Sequence, residues 1–175
     1  MHAAKTFARR AIATATALSL FAAGFAHAAV YSNGSKNTTF DVTLTIIADC
    51  TIAASNLSFG GSQGVLATAV TANTSLNITC TNTTPYNVGL SAGTGTGSSG
   101  TTRYMSGTGG NTGTVAFNLF QASGNTVWGN TQGTDTRSGT GTGVAQNITV
   151  YGQIPAQATP APDSYQSTIT ATVYF

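Results

Sequence analysis

The sequence predicts an all-β chain, and three observations carry that prediction. Beyond residue 28 no segment keeps a helical period over ten residues. Thr, Val, Ile, Tyr and Phe recur instead in short runs separated by Gly, Asn and Ser, the composition of strands and the turns between them. Two of these runs alternate apolar and polar residues almost without fault. Phe40, Val42, Leu44 and Ile46 lie on one side of "TTFDVTLTII" (38–47), and Ile169, Ala171, Val173 and Phe175 on one side of "YQSTITATVYF" (165–175).

In chain order the expected strands are 39–47, 50–53, 56–60, 74–81, 86–91, 114–121, 145–152 and 165–175. Their number and spacing suit a β-sandwich. Ala48, Cys50 and Ile52 continue the even-numbered face of the first strand, so pairing inside its own domain is its simplest use. The Gly-, Ser- and Thr-rich stretches 91–113 and 136–143 read as loops. "IPAQATPAPDS", 154–164, reads as a proline-stiffened connection before the last strand.

The first 28 residues read as a secretory signal. Lys5, Arg9 and Arg10 make a basic start, "AIATATALSLFAAGFA" is an apolar run, and Ala26-His27-Ala28 is a small-x-small cleavage site. A membrane anchor needs about 20 strongly apolar residues; this run is shorter and diluted by Thr14, Thr16 and Ser19. Cleavage after Ala28 removes both histidines, His2 and His27, and leaves a chain of the size of one ordinary domain.

What remains is chemically quiet. Lys36, Arg103 and Arg137 stand against Asp41, Asp49, Asp135 and Asp163, with no glutamate. Nucleic-acid binding needs clustered Lys and Arg, which are absent. Cys50 and Cys80 are the only cysteines, and in an exported chain a disulfide between them is the default. Two thiolates without a histidine do not make a closed zinc site, and no cofactor is expected.

Catalysis is also unexpected. A serine or cysteine nucleophile needs a general base, which a histidine-free chain with one lysine and four scattered aspartates supplies poorly. Gly95-Thr-Gly97-Ser-Ser-Gly100 matches a dinucleotide-binding pattern in letters only. That pattern works by leading into a helix, with an acid about 20 residues on. No helix is expected there and no acid lies between Asp49 and Asp135. Tyr86, Trp128 and Tyr151 could stack on a sugar, although packing in a sandwich accounts for each of them.

Several pieces in a fixed order carry a family resemblance: "FDVTLTIIADCTI" (40–52), Phe59-Gly60, "ITCTNTTPYNVGL" (78–90), "RYM" (103–105), "VAFNLFQ" (115–121), "VWGN" (127–130), "VYGQIP" (150–155) and the terminal "YQSTITATVYF". The chain resembles the spore coat protein U family, which includes the major pilins of archaic chaperone-usher pili. That resemblance implies an immunoglobulin-like sandwich lacking its final strand, completed by a strand lent by another subunit or by a chaperone.

On that implication 29–47 is an extension carrying a donor strand and 48–175 is the sandwich. Phe40, Val42, Leu44 and Ile46 are then the donor residues. Ile169, Ala171, Val173 and Phe175 border the groove and contact the chaperone. The implied partners are other copies of the chain or related pilins, a periplasmic chaperone and an outer-membrane usher. The implied role is a structural subunit of a secreted surface fibre serving adhesion or biofilm formation. A spore or cell-coat protein, and a secreted carbohydrate-binding β-sandwich, stand as the alternatives.

Overall fold

The computed structural model describes residues 33–61, 63–122 and 126–175. The signal-peptide reading of 1–28 lies outside the described residues. By its contacts the chain separates into two units, Met1–Thr43 and Leu44–Phe175. In the first, residues 33–43 are exposed and form neither helix nor strand.

The second unit is built of antiparallel strands, with no helix among the described residues. They are β1 (Cys50–Ala54), β2 (Val70–Cys80), β3 (Pro85–Leu90), β4 (Arg103–Gly107), β5 (Thr114–Phe120), β6 (Arg137–Thr140), β7 (Gln146–Ile154), β8 (Tyr165–Gln166) and β9 (Ala171–Tyr174). One sheet has the order β1-β2-β7-β5-β4-β8 and the other β6-β3-β9. β1 and β8 are therefore the edges of the large sheet, and β9 is an edge of the small one.

Period-two alternation makes the core. Leu76, Ile78 and Cys80 of β2, Val115, Phe117 and Leu119 of β5, and Ile148, Val150, Gly152 and Ile154 of β7 are buried. Each set occupies every second position, which places it on one face of its strand. The register carries these faces together, Leu76 opposite Ile148 and Leu119 opposite Gly152. Tyr86, Val88 and Leu90 of β3 supply the facing layer. A disulfide joins Cys50 to Cys80, which are directly paired between β1 and β2 with a Cα–Cα distance of 4.1 Å. That close approach is typical of a non-hydrogen-bonded pair.

The all-β expectation holds, and the structure redraws several strands. Residues 91–113 are not all loop, because β4 runs through them at Arg103–Gly107. Its glycine- and serine-rich flanks hide an alternation only a few residues long. β6 lies inside the expected 136–143 loop as a short edge strand with no large apolar residue to announce it. The terminal run is broken into β8 and β9, where two backbone N–H groups bond to loop hydroxyls: the Thr168 N–H donates to Thr94 Oγ1 and the Thr170 N–H to Ser91 Oγ. The expected strands at 39–47 and 56–60 are not strands here.

Candidate functional site

Between residues 54–59 and residues 165–171 the second unit is open. A cleft of about 500 Å³ enters the space between the sheets there. Its floor is Leu76, Val150, Leu119, Phe117 and Met105 from the large sheet, and Leu90, Ile169 and Ala171 face them. Residues 54–59 and Tyr165–Thr168 form its walls. The cleft is thus a continuation of the hydrophobic core that this unit leaves uncovered.

The β9 side of the cleft offers hydrogen bonds as well as apolar surface. β9 pairs with β3 with Leu90 opposite Ala171 and Gly89 opposite Thr172. One step further, the Ser91 N–H donates to the Thr170 carbonyl at 2.9 Å. Antiparallel bonding repeats every second residue, so Thr170, Thr172 and Tyr174 are spent on β3. Ile169, Ala171 and Val173 turn their N–H and C=O groups away from it. An edge of this kind is a template for a further strand.

The opposite wall, residues 55–59, is held loosely. The Ser55 N–H donates to the Ser75 carbonyl at 3.1 Å, and among the described residues the N–H groups of 56–59 have no partner. Leu57 and Phe59 are half-buried and rest on the core face of β7 at Gly152. A Cβ at position 152 would come within 2.5 Å of Leu57 Cδ2 and 2.9 Å of Phe59 Cζ, so only glycine leaves room for both. The strand expected at 56–60 has the right alternation, and among the described residues no neighbouring strand pairs with it.

The residues singled out from sequence fall as follows. Phe40, Val42, Leu44 and Ile46 are 73–86% exposed. Ile169 and Ala171 line the cleft; Val173 packs against the core, and Phe175 is exposed. Trp128 and Tyr86 are core residues, with the Trp128 indole N–H donating to the Val88 carbonyl at 2.7 Å. Gly97 and Gly100 sit at positive φ in turns, with no helix following. The floor residues of the cleft were not singled out in advance. Their only signal is the alternation they share with the rest of the core.

Arg103 also escaped notice as a core residue. It is 1% exposed, and its guanidinium donates to the carbonyls of Leu90, Ser91 and Trp128 at 2.6–3.0 Å. Burial lowers its pKa to about 10, opposed by the charge of Asp135. It therefore remains charged at neutral pH and ties β3, β4 and the Trp128 segment together behind the cleft.

A model of the Spore Coat Protein U domain matches residues 36–172. The chain belongs to the Spore Coat Protein U domain family. No curated protein matches it by sequence. Among solved structures, this Spore Coat Protein U domain chain is similar to a chain in the crystal structure of the CsuC–CsuE chaperone–tip adhesion subunit pre-assembly complex. That complex comes from the archaic chaperone-usher Csu pili of Acinetobacter baumannii, and the match has a TM-score of 0.54 at 27% identity. The alignment covers 75% of the present chain and 40% of the other, so the Spore Coat Protein U domain chain spans less than half the length of that relative.

Proposed function

We propose that the chain is a structural, non-enzymatic subunit of a surface fibre, an archaic chaperone-usher pilus, assembled by donor-strand exchange. The observation that carries this reading is the uncovered core: an apolar cleft bounded on one side by the β9 edge, whose one strand neighbour among the described residues is β3. A cleft of that form asks for an extended segment with alternate apolar side chains, which bonds to the edge and fills the floor. Phe40, Val42, Leu44 and Ile46 make such a segment in every copy of the chain.

In this reading the four side chains of one copy enter the groove of the next, and Ile169, Ala171, Val173 and Phe175 form the receiving edge. Burying each side chain contributes about 1.5–3 kcal/mol, against an association cost of about 4–15 kcal/mol, with the backbone ladder adding to the favourable side. A head-to-tail contact of this type does not close on itself and grows a filament. Before assembly a periplasmic chaperone occupies the same edge, and an outer-membrane usher exchanges it for the next subunit. The fibre is exported through the periplasm to the cell surface, where it serves adhesion or biofilm formation. The match to a chain of a chaperone–tip adhesion subunit complex from an archaic chaperone-usher pilus supports this reading.

The test is to express the mature chain with and without residues 29–47, alone and with a candidate chaperone. SDS-resistant polymers are expected only from the longer form, and a soluble one-to-one chaperone complex from both. A truncated chain that is a stable monomer and never accepts an added 39–47 peptide overturns the reading.

A further inference from the structure

The donor segment and β1 are continuous in sequence, so some residue has to decide where one ends and the other begins. At this junction the β1–β2 ladder does something unusual. The pairing of Cys50 with Cys80 continues one step, with the Thr81 N–H donating to the Asp49 carbonyl at 2.9 Å. The returning bond from the Asp49 N–H would ordinarily go to the Thr81 carbonyl. That carbonyl is occupied in a turn, where it accepts from the Thr84 N–H at 3.1 Å, and Thr83 adopts φ 64° to make the turn.

The Thr81 side chain takes over. Its Oγ1 accepts from the Asp49 N–H at 2.8 Å, and its proton lies within reach of the carbonyls of Ile47 at 3.2 Å and Asp49 at 3.1 Å. The Asp49 carboxylate in turn accepts the Cys50 N–H at 2.9 Å, and the Cys50–Cys80 bond follows at once. Leu44, Thr45 and Ile46 make no hydrogen bond among the described residues. Ile47 is thus the first residue of this unit whose backbone is held.

We infer that Thr81 is the positioning residue for assembly: its hydroxyl clamps the root of the donor segment and makes 47–50 a fixed joint instead of a hinge. This rests on the donor-strand reading above. With the root pinned at Ile47, the last donor side chain, Ile46, is one residue from the body that supplies it. A residue of extended chain spans about 3.3 Å, so neighbouring subunits are closely coupled, and no length can be gained by peeling the start of β1. Thr81 thereby sets the stiffness of the fibre without touching the groove.

The experiment uses the full chain carrying Thr81→Val, which keeps the branched shape and deletes the hydroxyl, and Thr81→Ser, which keeps the hydroxyl. Hydrogen exchange at the Asp49 amide is measured in the subunit, and persistence length by electron microscopy of the polymers. Thr81→Val is expected to speed exchange at Asp49 at least tenfold and to shorten the persistence length several-fold at unchanged polymer yield. Thr81→Ser is expected to restore both. Asp49→Pro deletes the same bond from the other side, leaves β2 untouched and should soften the fibre likewise.

Thr81→Val or Asp49→Pro polymers as stiff as wild type overturn the inference, as does an Asp49 amide indifferent to the loss of the hydroxyl. If wild-type polymers form but ignore Thr81, the clamp alone fails. If polymers form equally well without residues 29–47, the donor-strand reading fails and takes the clamp with it.

Discussion

The guanidinium Nη2 of Arg103 lies 2.6 Å from the carbonyl oxygen of Trp128, and neither side chain reaches solvent. A buried cation is tolerated here because three backbone carbonyls from two segments, Leu90–Ser91 and Trp128, surround it. Arg103→Met should strand those carbonyls and destabilise the unit by about 3 kcal/mol or more, at about 1–3 kcal/mol for each buried group left unpaired. Arg103→Lys should recover only part, since an ammonium lacks the planar fork. Urea unfolding followed by fluorescence checks this conveniently, because Trp128 is the only tryptophan.

The same residue sets a pH dependence. Burial lowers its pKa to about 10 in the folded chain, so from there up to the ordinary arginine range the unfolded chain binds the proton more readily. Stability from this group therefore rises with pH across that window, and below it the desolvation cost is fully present. The stability of wild type relative to Arg103→Met should be flat from pH 5 to 8 and should climb above about pH 10. Parallel unfolding curves at these pH values measure it.

Gly152 is where the loose wall of the cleft meets its floor. Gly152→Val should drive Leu57 and Phe59 off β7, with an overpacking cost of about 1–3 kcal/mol. Faster amide exchange and new proteolytic cuts at 55–60 are the expected signs, with β2 and β5 remaining protected.

Leu44→Glu should stop polymer growth and leave the chaperone complex intact, because the charge would enter an apolar groove on the neighbouring copy while the groove of its own chain is unchanged. Size-exclusion profiles of the chaperone complex and SDS-resistant ladders separate the two outcomes. Unaffected ladders would count against Leu44 as a donor residue.

Reduction of the Cys50–Cys80 bond, or Cys50→Ser with Cys80→Ser, should cost about 3–4 kcal/mol on the chain-entropy model for a closed loop of this size. Denaturant midpoints with and without reductant give the figure.

Asp163 gathers the 107–113 hairpin. Its carboxylate accepts from the Gly109 N–H at 2.9 Å and from Asn111 Nδ2 at 3.1 Å. Asp163→Ala should therefore loosen the β4–β5 turn, at about 1 kcal/mol per net bond lost. Exchange of the Gly109 amide reads the loosening directly.

Much of the fold was legible because its signals are local. β2, β5 and β7 bury every second residue, and Leu76, Phe117 and Val150 announce this in the sequence itself. β4 and β6 were hidden because what holds them is not local. Arg103 looks like a surface charge until the carbonyls of Leu90 and Trp128 are brought to it from distant segments, and Arg137–Thr140 is a strand only because β3 offers an edge. The groove was illegible in a different way. Phe40 through Ile46 could be read as a strand with an apolar face, yet the cleft depends on which edges remain unpaired after folding, and composition does not record that. Residues 55–59 fall between the two cases, having the alternation of a strand and no partner strand among the described residues.

The groove has an arithmetic consequence. If every copy brings one cleft and one segment, a chain of subunits of any length uses all of them except one cleft at one end and one segment at the other. Such a fibre has two chemically different ends, and neither can be finished by adding another copy. A cap that fills a cleft without offering another, and an anchor that takes up a segment without growing further, would have to come from proteins of different design.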